Sequence, residues 1–226
     1  MVSADFFTHI GHKKCIYQSD GEYPLLALKR DVCDRVEGKT LLMRESPVGE
    51  HQANGAAENS VKVIKGVVRT LIISAQSKWK HRLPFGHPLI LWAPTYAAQM
   101  VNRFKIGDDG KSAEQRRTGK RWDKVVVPFG ERVQVKELVK DARKRDLEPR
   151  WLTGYYVGHT SRSGTAPVLT SSGVQRGTAV VRLPVDQRYV WIEEEILGLK
   201  GKPWDWKGGE ERIAVHPPTW HLGLRA

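Results

Sequence analysis

Cysteine is scarce in this chain of 226 residues: Cys15 and Cys33 are its only two. Two cysteines are too few for a disulfide scaffold, and they point to a reducing, intracellular setting. His9 and His12 could join them in a zinc set, but the C-x-x-C pair of zinc knuckles is missing, which argues against one. The amino terminus carries no continuous apolar run, which argues against a signal peptide. The longest apolar stretch, residues 88–101, is short and interrupted by Pro94, so a membrane span is not expected. Acidic residues are absent from Asn59 through Gly107. Before Asp20, Asp5 is the sole acidic residue.

The acid-free stretch is strongly basic. It holds Lys62, Lys65, Arg69, Lys78, Lys80, Arg82, Arg103 and Lys105, in a chain of net charge +12 and pI near 9.8. Such a balance favours a polyanionic partner, although a merely soluble basic protein has the same bulk charge. From Asp186 onward there are six basic and seven acidic residues, so the positive field belongs to the middle of the chain.

Two carboxylates have settings that suit metal binding. Asp20 follows the short apolar run Cys15-Ile16-Tyr17-Gln18-Ser19 and precedes Gly21, as a residue at the end of a strand would. Glu58 follows the polar approach SPVGEHQANGAA and opens a helical pattern. Thirty-seven residues lie between them, room for one helix and one strand. With a third oxygen ligand, such a pair could hold two divalent ions about 3.5–4 Å apart for in-line phosphoryl chemistry. The plainer alternative is an Asp in a turn and a Glu complementing a helix dipole.

Hydrophobic periodicity sets out the organisation. Leu25, Leu28, Val32 and Val36 predict a short amphipathic helix over 22–36, and residues 40–43 a strand. After Glu58, Val61, Ile64, Val68, Leu71, Ile72 and Ala75 form one apolar helical face. Lys62, Lys65 and Arg69 fall on the face of Glu58, either as a DNA-facing stripe or as an ordinary solvated face with a Glu58–Lys62 pair. Pro84, Gly86 and Pro88 break the helix, and residues 89–104 resume one whose Trp92, Tyr96, Met100 and Val101 are expected to pack against a sheet. Residues 107–124 read as a polar connector with a short helix near 112–117. Beyond Pro128 the period changes to two. Strands are expected at 129–136, 154–159, 166–170 and 173–183, the spacing of a small barrel. The mixed-charge run 136–150 would be a loop within it, and residues from 191 onward a tail or linker.

Gln18-Ser19-Asp20-Gly21, followed by SPVGEHQANGAAEN at 46–59, resembles the second half of a D,D-35-E integrase core, above all that of copia-type LTR retrotransposons. The segments FGERVQVK, PRWLTGYYVGHT and GVQRGTAVVRLP resemble the SH3-like domain that follows such cores. The resemblance implies an incomplete RNase H-like integrase core over 1–105, a linker over 106–128, an SH3-like barrel over 129–190 and a tail over 191–226: an α/β fold plus a small all-β one. It implies Asp20 and Glu58 as catalytic, metal-binding carboxylates, with Mg2+ or Mn2+ as the ion. Asn54 and Gly55 match the Asn-Gly before the family's Glu and join Lys62, Lys65 and Arg69 as candidate DNA contacts. The family has Asp-Asn-Gly where this chain has Asp20-Gly21, and Arg where it has Asn59. Its first catalytic Asp has no counterpart here, as in an amino-truncated integrase. The implied partner is DNA and the implied setting the nucleus. A homo-oligomer and other domains of a retrotransposon polyprotein are further candidate partners; a membrane is not.

Overall fold

The computed structural model describes residues 7, 12–19, 21–45, 55–137, 150–160 and 164–204. The chain divides into two compact units, Met1–Glu58 and Asn59–Trp206, with the remainder of the chain outside the described residues.

In the first unit, strands β1 (Lys14–Ser19) and β2 (Thr40–Glu45) pair in parallel, Lys14 opposite Thr40 through Ser19 opposite Glu45. Parallel neighbours need a crossover, and helix α1 (Tyr23–Arg35) supplies it. Pro24 lies in its first turn, where a missing N–H costs nothing. Val32 and Val36 on its inner side meet Cys15, Tyr17 and Leu41 of the strands and Phe7, whose ring lies 5.1 Å from that of Tyr17. Lys29 is buried with them and donates to the Arg44 carbonyl at 2.6 Å, so its charge is hydrogen-bonded rather than stranded.

Helix α2 (Gly55–Trp79) follows, so one helix and one strand do separate the position of Asp20 from Glu58. Core contacts along α2 begin at Val68 and continue through Leu71, Ile72 and Ala75 to Trp79. Val61, expected on the apolar face, is instead half exposed, because the early turns of the helix precede this core. The helix closes with Lys80 at φ +58° and a hydrogen bond from the His81 amide to the Gln76 carbonyl. This is a left-handed terminus usually given to glycine.

Helix α3 (Pro88–Phe104) is capped by an unusual residue. His87 accepts the Leu89 amide on Nδ1 and its Nε2 donates to the Ile196 carbonyl at 2.8 Å, which specifies the neutral ring. Leu89, Trp92, Ala93, Tyr96 and Ala97 are buried at helical spacing. They pack against the barrel and its flanking segments: the Tyr96 ring lies 5.3 Å from Phe129 and 6.2 Å from Tyr156, and its hydroxyl donates to the Val127 carbonyl at 2.7 Å. A short helix α4 (Ala113–Thr118) follows, capped by Ser112 and ended by Gly119.

Strands β3 (Arg132–Glu137), β4 (Trp151–Tyr156), β5 (Ala166–Thr170) and β6 (Gly173–Arg182) close a barrel, each antiparallel to its neighbours, with β6 returning to β3. Val133 and Val135 alternate into the interior. Closure depends on Gly177, whose added Cβ would run into Val135 and the Lys136 carbonyl. Gly130 turns into β3 at φ +71°, and a Cβ there would lie 2.9 Å from Trp79.

The expected tail is not a tail over its first part. Residues from Trp191 continue through helix α5 (Glu193–Leu197), and Ile196 and Leu199 enter the core beside Trp79 and Leu89. The helix here is only five residues long, too short for periodicity to reveal it. The barrel therefore shares one core with α2, α3 and this strap, and the compact unit runs past both barrel boundaries read from the sequence. Most of the charged loop at 136–150 lies outside the described residues.

Candidate nucleic-acid interface

Asp20 and Asn54 lie outside the described residues. Gly55 begins α2, and Glu58 stands in its first turn, exposed and without an ion pair to Lys62. Of the carboxylates expected to bind metal, the described residues supply Glu58 alone, and among them no group of three or more His, Cys, Asp or Glu could hold an ion. Mg2+ prefers six oxygen ligands in near-octahedral array. One exposed carboxylate does not meet that demand and by itself supports no reaction step. His9 is outside the described residues, while Cys15 and Cys33 are free thiols, partly buried in the first unit.

The basic residues are better defined. Lys62, Lys65 and Arg69 are exposed on one side of α2, at steps of three and four residues, and none is engaged in an ion pair among the described residues. At about 1.5 Å per residue they span roughly 10 Å of helix. No acidic side chain is available on the helix beyond Glu58 to neutralise them.

A second basic group lies where the helix ends. Lys80 and Arg82 are exposed and, with His81, Gln76, Ser77 and Ile73, line an open hollow of about 600 Å³. The His81 ring is stacked on Trp191 at 4.5 Å, which fixes this corner of the backbone. The sequence shows these residues only as part of the acid-free run; their gathering around a hollow follows from the left-handed turn at Lys80.

Two cations of the same run serve the fold instead. Lys78 lies 4.5 Å above the Tyr189 ring. Arg103 is buried, its guanidinium 3.6 Å above Trp122 and donating to Gln99 and to the His159 carbonyl. Beside it the Tyr156 hydroxyl meets His159 Nδ1, and the Gln99 side chain accepts the His159 amide. Burial first, then the charges of Arg103 and Lys124, lower the His159 pKa to about 4. A neutral histidine and a stacked arginine here tie α3 to the barrel.

Compared with known families and with characterised proteins, the chain matches none. Among the described residues, no helix is long and apolar enough to cross a membrane.

Proposed function

We propose that this chain binds DNA through phosphates laid along α2, as the carboxy-terminal part of a copia-type integrase would, with the barrel as its accompanying SH3-like domain. The observation that carries the reading is the exposed stripe of Lys62, Lys65 and Arg69, without ion pairs among the described residues, on a helix with no acidic residue after Glu58. The order β1, α1, β2, α2 also agrees with the second half of an RNase H-like core. In an integrase of that kind Asp20 and Glu58 would be metal-binding carboxylates for DNA-end processing and strand transfer, and Gly55 and Asn54 would lie close to the DNA.

Such binding is sequence-tolerant, because lysine and arginine on phosphates carry no base-reading code. Each neutralised phosphate contributes about −0.9 to the slope of log K against log salt on duplex DNA. Replacing Lys62, Lys65 and Arg69 together by Ala is expected to flatten that slope by roughly two to three units, measured by fluorescence anisotropy with helicity matched between variant and parent. An unchanged slope would remove the stripe from the interface.

A further inference from the structure

Beside the stripe, α2 and Pro94 of α3 border an open apolar groove of about 460 Å³, floored by Ile64, Val68, Ile72 and Pro94. Ile73, 60 % exposed, stands at its edge, and Lys65 and Arg69 form its rim. Phosphate gains nothing from isoleucine, valine and proline, so DNA on the rim leaves this floor uncovered. Scattered exposed apolar residues are ordinary, but these line one concavity of the size that holds side chains of a ligand.

From this geometry we infer that the groove docks an acidic amphipathic segment of a partner protein, apolar residues on the floor and carboxylates at Lys65 and Arg69. Charge complementarity selects this occupant. A second copy meeting the groove through the same face would set Lys65 and Arg69 against their own counterparts, with no acidic residue from Asn59 to Gly107 on either side to offset them. A helical segment with apolar anchors at three- and four-residue steps and glutamates between satisfies both floor and rim. The inference stands apart from the DNA reading, since it rests on the apolar floor; the two ligands share Lys65 and Arg69 and should compete.

The test uses the full chain and a fluorescein-labelled sixteen-residue peptide with leucine at helical spacing and glutamate between, against a scrambled peptide of the same composition. Saturable binding of the first, at least about tenfold tighter than the second, is expected. Ile73→Gln should weaken it by about tenfold, the order expected for one buried isoleucine, while leaving the salt slope for duplex DNA unchanged. Ile73 is exposed, so this substitution leaves the fold intact; matched circular dichroism checks that. Equal binding of the two peptides, or indifference to Ile73→Gln, would reduce the contact to bulk charge and overturn the inference. Self-association in sedimentation equilibrium that Ile73→Gln abolishes would give the groove to a second copy and overturn it as well.

Discussion

His159 shows how a single buried side chain couples this fold to pH. Its folded pKa of about 4 lies below the ordinary histidine value of about 6.5 because the ring is buried and faces the charges of Arg103 and Lys124. Between those values the unfolded chain takes up a proton that the folded chain refuses. The stability contribution is therefore present above about pH 6.5 and is lost as the pH falls toward 4. Burial lowers His87 too, and its Nδ1 must stay unprotonated to cap α3, so it acts in the same direction. Urea denaturation is expected to show stability falling between pH 7.5 and 5, with His159 accounting for roughly 2 kcal/mol. His159→Gln should flatten that dependence by a comparable amount, whatever it costs at neutral pH. An equally steep dependence in the variant would place the acid sensitivity elsewhere.

At the scale of the elements, barrel closure is supported by an ion pair as well as by backbone hydrogen bonds. Glu131, fully buried just before β3, receives Arg182 at the end of β6 in a two-pronged contact of 2.6 and 2.8 Å, with Arg188 at 3.7 Å. Arg132 and Tyr155 make a similar set with Glu195 of α5. Breaking a buried pair costs more than the pair itself contributes, because the surviving charge is left without its partner. Arg182→Met is expected to destabilise the protein by about 3 kcal/mol, since it removes both hydrogen bonds of the buried Glu131 carboxylate and leaves it only Arg188 at 3.7 Å. Glu131→Gln should cost less, because Arg182 is partly exposed and can turn to water. Denaturation midpoints of the two variants at pH 7.5 check the order. The strands themselves are legible in the sequence, since Val133 and Val135 alternate with polar neighbours and 166–170 coincides with the observed β5. This ion pair is not, because its partners are 51 positions apart.

Across the whole molecule, the barrel and its neighbouring helices are one unit. Trp79 sits among Tyr155, Tyr189 and Trp191 at ring separations of 6.1–6.4 Å, so residues from α2, the barrel and the following strap enclose one another. A fragment of residues 129–190 lacks Trp79, Leu89, Trp92, Tyr96, Ile196 and Leu199 and exposes the apolar surface they cover. We expect it to unfold with a shallow, non-cooperative transition in urea, while residues 59–206 unfold in a single sharp one. A sharp transition in the short fragment would show that the barrel needs no help from the helices. The sequence alone determined the order of helices and strands as far as β6 and the acid-free basic face of α2, because these follow from local periodicity, charge and proline or glycine; it missed α5 and set β4 three residues late. Only the tertiary structure decided that the aromatic stripe of α3 meets a barrel, that Arg103 and Lys78 are taken up by the fold, and that Lys80 and Arg82 gather at a hollow. Those outcomes depend on contacts between residues far apart in the chain, and hydrophobic pattern records that a side chain is buried without recording what buries it.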